Sequence, residues 1–127
     1  MSTQVETMSV QDIANKLVEF CREGKHIDAI HDLYDEHVVN TEPEGSPMQK
    51  TEGKEAVLKA TENWFSSVEE MHSAEVSDPI VAADHFACIM KYDVTFKEHG
   101  RNVMNELAVF GVKDGKITSA EFFYNVN

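Results

Sequence analysis

The chain has 127 residues, 42% of them hydrophobic and 27% charged, which suits one domain with a real core and is too apolar for a disordered tail. Its 23 acidic and 11 basic side chains leave a formal net charge of -12, which repels phosphate backbones and anionic lipid and argues against a nucleic-acid partner. No apolar run approaches the roughly 20 residues a membrane helix needs, and "MSTQVETMSV" has neither a basic start nor an apolar stretch of a secretory signal. Cys21 and Cys88 sit in apolar-patterned segments and read as buried free thiols. A cytoplasmic protein without a membrane partner is expected.

Residues 1–8 read as a frayed N-terminus and residues 9–127 as a single domain. In "SVQDIANKLVEFCREG", Ser9 and Asp12 have capping-box spacing. Ile13, Leu17, Phe20 and Cys21 then share a helical face, and Gly24 supplies a stop. "HIDAIHDLY" is a second helix with Ile27, Ile30, Leu33 and Tyr34 on its buried side. "HVVNTE" is a short strand followed by turn residues. A third helix starts near Gly53, with Ala56, Val57, Ala60, Trp64 and Phe65 as its apolar face. From about Val68 the period changes from helical to alternating. "VEEMHSAEVS", "FACIMKYDVTF", "RNVMNELAVFGV" and "KITSAEFFYNV" read as strands, joined by turns at "DPI", "KEHG" and "KDG". Three helices with one early strand, then a meander of long strands, predict an α+β fold with helices packed on one face of a curved sheet.

The stretches "FCREGKHIDAIHDLYDEHVVNTEPEG", "EVSDPIVAADHFACIMKYDVTF" and "NELAVFGVKDGKITSAEFFY" resemble, in order and spacing, the SnoaL-like branch of the NTF2-like superfamily. The resemblance implies a cone-shaped α+β barrel. Its curved antiparallel, in part mixed, sheet carries three N-terminal helices on the concave face, with a pocket between. Members of this superfamily include polyketide cyclases, steroid isomerases, epoxide hydrolases, dehydratase subunits and pure binding modules, so the fold does not by itself give the function.

The resemblance also lays "LYDEHVVNTEP" on the segment where the steroid isomerases carry their general base, an aspartate directly before a proline; Glu42, before Pro43, falls there. Their oxyanion-binding tyrosine falls on Leu17 and their protonated aspartate near Ala108. Neither side chain can hydrogen-bond a developing oxyanion, usually the largest catalytic term in such reactions. A steroid isomerase of the standard mechanism is therefore not expected.

Strand alternation puts Met104, Glu106, Ala108 and Phe110 on the pocket side, with Met90, Tyr92, Val94, Ala120, Phe122 and Tyr124. Glu106 is then a lone acid among apolar neighbours, and burial favours its neutral form. A solvated Glu42 at the mouth stays ionised, so the two acids can divide acid and base roles. Two plainer readings stand beside these: Glu42 as an exposed loop acid, and Glu106 paired with Arg101 or Lys91 if the strand parity is reversed. Tyr34, Tyr92 and Trp64 are candidate pocket residues or ordinary core. His37 and His72 are alternative bases near the mouth. His26 and His31 lack the i, i+4 spacing of a zinc pair, His85 and His99 lie in turns, and no metal or other cofactor is expected.

Opposite the pocket face, Ile89, Val103, Leu107, Val109 and Phe123 form an apolar outer surface that a half-exposed sheet would not normally carry. A homodimer through this face is expected. Two functions stay open: proton transfer on a small apolar carbonyl compound by Glu42 and Glu106, with Tyr92 and Tyr34 as donors, or a non-catalytic ligand-binding or dimerisation module of the same fold.

Overall fold

The computed structural model describes residues 8–125. Three helices and seven strands follow in the order α1 (Val10–Arg22), α2 (His26–Leu33), β1 (Tyr34–Thr41), β2 (Lys50–Glu52), α3 (Lys54–Ser66), β3 (Val68–Val76), β4 (Ile80–Ala82), β5 (His85–Phe96), β6 (Gly100–Lys113) and β7 (Lys116–Phe123). The frayed segment expected over residues 1–8 lies outside the described residues except for Met8, which packs half-buried against the core.

Helix α1 forms as its sequence dictates. The Ser9 side chain accepts a hydrogen bond from the Asp12 amide at 3.1 Å, and Ile13, Ala14, Leu17, Val18 and Cys21 are buried along one face. The helix ends in a Schellman motif. Lys25 N–H donates to the Phe20 carbonyl at 2.8 Å and Gly24 N–H to that of Cys21 at 3.2 Å, with Gly24 at φ 74°. Cys21 and Cys88 are both buried and unpaired, and burial pushes their thiols up to about 12 and about 11, so neither is a ready nucleophile.

The sheet runs β2-β1-β7-β6-β5-β3, with β4 also on β5. It is mixed: β1 lies parallel to β7 and the other neighbouring pairs of the described strands are antiparallel. Tyr34 was expected to close the second helix. It instead opens β1, opposite Ile117 of β7, because the chain turns extended at once after Leu33. β2 and β4 are three residues each and too short to carry a readable period. The long pair β5 and β6 alternates as expected: Phe86, Cys88, Met90, Tyr92 and Val94 are buried, as are Glu106, Ala108 and Phe110. Phe86 and Phe110 stack with centroids 4.8 Å apart in the core beneath the helices. In α3 the only fully buried residue is Val57, and Ala56, expected on the inner face, is exposed.

On the outer face Ile89, Leu107 and Phe123 stand in register across β5, β6 and β7, and are 51%, 43% and 47% exposed. Val103 is likewise exposed, while Val109 is half-buried. None of the described helices is long and apolar enough to cross a membrane.

Candidate active site

A cavity of about 520 Å³ opens between the three helices and the concave face of the sheet. Its walls are mostly apolar. Leu17 of α1, Tyr34 of β1 and Trp64 of α3 line it, as do Met90 and Tyr92 of β5, Met104 of β6 and Phe122 of β7. Both glutamates singled out in the sequence line it too. Ala108 does not. It is fully buried, between Cys88 and Phe122 in register, and its methyl group is too short to reach past its neighbours into the cavity.

Glu42 is neither solvated nor a free loop acid. It is half-buried beyond the end of β1, its Oε1 accepting from the Tyr124 hydroxyl at 2.7 Å and its Oε2 from the Asn40 amide at 3.0 Å. Burial raises its carboxyl above the ordinary range, and the two hydrogen bonds only partly offset that. Parity makes Asn40 intelligible: two residues before Glu42 on an extended chain, it points the same way.

Glu106 sits mid-strand on β6 and is 9% exposed. No described residue hydrogen-bonds or ion-pairs with its carboxyl. Arg101, an alternative partner by reversed parity, is held on the outer face by two hydrogen bonds to Asp93, both 2.9 Å. Lys91 is exposed opposite Asn105. Burial first, and the charge of Glu42 second, push the Glu106 carboxyl up to about 7. One cavity thus holds two carboxyls that are both reluctant to ionise, one hydrogen-bonded and one bare.

The histidines divide differently from expectation. His37 is exposed on β1 and lines no part of the cavity. His72 points to the outer face, bonded to Thr95 at 2.7 Å and 3.3 Å from Glu70, because Met71 takes the inward position on β3. Neither is placed to act on a ligand. His26 is: it lines the cavity, with Nε2 2.9 Å from the Tyr92 hydroxyl oxygen. These residues are 66 positions apart, and no local spacing could have announced the pair. Among the described residues no three His, Cys, Asp or Glu side chains cluster as a metal site.

A curved mixed sheet cupping a ligand-sized cavity under three helices is the NTF2-like, cystatin-like architecture. Within it, the chain belongs to the SnoaL-like domain family, whose model matches residues 8–124. A Mesorhizobium loti protein provisionally assigned as a SnoaL-like polyketide cyclase is 33% identical, with 92% of this chain and 100% of that one aligned at a TM-score of 0.84. An NTF2-like protein of unknown function from Burkholderia pseudomallei aligns at TM-score 0.75 over 93% of this chain and 92% of its own, at 15% identity. A cystatin-like-fold protein of unknown function from Xanthomonas campestris aligns at 0.79 over 94% and 92%, also at 15% identity. At 15% identity the likeness is one of fold. No curated protein matches the chain.

Proposed function

We propose that this protein is an acid–base enzyme acting on a small apolar carbonyl compound, by isomerisation or aldol-type ring closure. The observation that carries the reading is the convergence of Glu42 and Glu106 on one mostly apolar cavity. Glu42, the more hydrated and hydrogen-bonded of the two, removes the proton next to the carbonyl. Glu106, part-protonated near neutral pH, gives its proton to the carbonyl oxygen, so the enol forms without a full negative charge in the apolar site. Reversing the two transfers at a different carbon completes an isomerisation. Attack of the enol carbon on a second carbonyl of the same molecule completes a ring closure, the enol O–H proton returning to Glu106 as the first carbonyl re-forms and the proton held by Glu42 passing to the new alkoxide oxygen. The Mesorhizobium loti relative, assigned only provisionally as a SnoaL-like polyketide cyclase and also named a carbohydrate phosphatase, lends the second limited support.

A non-catalytic ligand-binding module of the same fold is favoured by one observation. Leu17 and Ala108 stand where the resemblance places the steroid isomerases' donors, and both are aliphatic. The test begins with mass spectrometry of whatever co-purifies with the protein. Turnover of that compound, or of its keto tautomers, should fall about 100-fold or more in Glu42→Gln and in Glu106→Gln, the usual scale of a lost acid–base group. Unchanged turnover in either variant removes that residue from the mechanism, and tight binding without any turnover favours the binding module.

The apolar row Ile89, Leu107 and Phe123, with Val103 beside it, supports a homodimer through the outer sheet face. The buried, unpaired state of Cys21 and Cys88 suits a reducing compartment such as the cytoplasm.

A further inference from the structure

The acid–base reading leaves one pair of cavity groups unused. His26 opens α2, and its ring packs 5.2 Å from that of Phe65 and 5.9 Å from that of Tyr92, centroid to centroid. Burial pushes the imidazole below its ordinary range, more than the Gly24 backbone draws it back, so the ring is neutral near pH 7. A neutral imidazole carries one proton, on either nitrogen. Nδ1 is fully buried and has no hydrogen-bond partner, the Gly24 carbonyl falling short of hydrogen-bond geometry. A proton there would have only the Gly24 carbonyl, outside hydrogen-bond geometry, to meet, and a buried N–H so poorly matched is the rarer and costlier kind of unmatched group. On Nε2 the same proton meets the Tyr92 oxygen at 2.9 Å. Tyr92 then accepts from His26 and keeps its own hydrogen free, and it has no other hydrogen-bond partner among the described residues.

We infer that His26, protonated on Nε2, orients Tyr92 as a hydrogen-bond donor to the carbonyl oxygen of the cavity's ligand. The inference rests on the carbonyl reading of the cavity. Across β5 and β6, Tyr92 faces Met104 and Glu106 faces Met90, which makes Tyr92 and Glu106 diagonal neighbours on the concave face, about 7–8 Å apart at the backbone. Both side chains are long enough to flank a single oxygen between them. Burial also holds the Tyr92 hydroxyl well above its ordinary range, so it lends a hydrogen bond and keeps its proton. Tyr92 is the group that touches the ligand, and His26 is a positioning residue. The donor that Leu17 and Ala108 cannot supply thus comes from β5, steadied by α2.

The test uses 4-phenylcyclohexanone, labelled with ¹³C at the carbonyl, as the probe. Trp64 is the only tryptophan and lines the cavity, so its fluorescence reports occupancy. In the free protein, ¹⁵N NMR of histidine should show His26 Nε2 protonated and Nδ1 bare. The infrared carbonyl band of the bound probe should lie below its position in hexane. Tyr92→Phe should carry the band most of the way back toward the hexane position, the remaining shift belonging to Glu106, while Trp64 quenching persists, with affinity within about tenfold because one neutral hydrogen bond is lost. His26→Ala should weaken and broaden the shift, and His26→Gln, which retains an N–H donor, should recover part of it. A proton on Nδ1, an unshifted band in the wild type, or a shift left unchanged by Tyr92→Phe would each overturn the inference. A shift unchanged by Tyr92→Phe that vanishes in Glu106→Gln assigns the oxygen to Glu106 and leaves the acid–base reading standing. A probe that leaves Trp64 fluorescence unchanged counts against both.

Discussion

Replacing Glu106 by glutamine should remove a pH dependence from the stability of this protein. In the unfolded chain the Glu106 carboxyl titrates at its ordinary value of 4.5; in the folded chain burial and Glu42 raise it to about 7. Below 4.5 both states hold the proton and the folded state bears no penalty. Between these values the unfolded chain has released its proton and the folded chain has not, so stability falls as pH rises. Above about 7 the full penalty is in place and stays constant. At about 1.4 kcal/mol per pH unit the full loss is about 3.5 kcal/mol, of which about 2–3 kcal/mol falls between pH 5 and pH 8. Urea unfolding at pH 5 and pH 8, at one protein concentration, measures it. Glutamine brings its own fixed cost, an amide in an apolar wall, but that cost is the same at both pH values. The informative quantity is therefore the wild-type change between pH 5 and 8 minus that of Glu106→Gln, expected at about 2–3 kcal/mol. A difference below about 0.5 kcal/mol, on that same scale, would mean that the Glu106 carboxyl is well hydrated, and the reasoning about the cavity's polarity would fail with it.

Two other predictions concern the sheet. Gly111 lies buried in β6 beside a register shift, and a Cβ there would collide with the Ser119 hydroxyl and sit 3.2 Å from His85 Nε2. Gly111→Ala should cost about 1–3 kcal/mol in thermal or urea unfolding, and adding Ser119→Ala should return part of that. Leu107→Lys puts a charge at the centre of the outer apolar row. Light scattering after size exclusion at micromolar concentration should find a dimer for the wild type and a monomer for the variant; a wild-type monomer would refute the dimer.

The parts of this fold legible in the sequence are those whose signal is local. Ser9 and Asp12 announce the start of α1, Gly24 its end, and strict alternation from Phe86 to Phe96 separates the cavity face of β5 from the outer face. Glu106 belongs with these, because its orientation follows from parity alone. What was illegible depends on contacts between distant segments. Glu42 looked solvated beside Pro43 and Gly45, and only the return of β7 brings Tyr124, 82 residues later, onto its carboxyl. His26 acquires meaning only when α2 settles over β5. Tyr34 fitted both a helical face and a strand start, and the parallel pairing with β7 decided it. Ala108 had the right parity, but its side chain is too small to reach the cavity.

In helix α3 only Val57 is buried; Leu58 and Trp64 pack half-buried against the core, and Ala60, Thr61, Trp64 and Phe65 border the cavity. Helix α1, of equal length, has five buried residues. Less of α3 than of α1 is buried, so its local opening should cost less free energy than that of α1. Amide hydrogens from Lys54 to Ser66 will accordingly exchange sooner than those of α1. A compound in the cavity would rest against this helix, so exchange in that one segment becomes a measure of how firmly any compound is held.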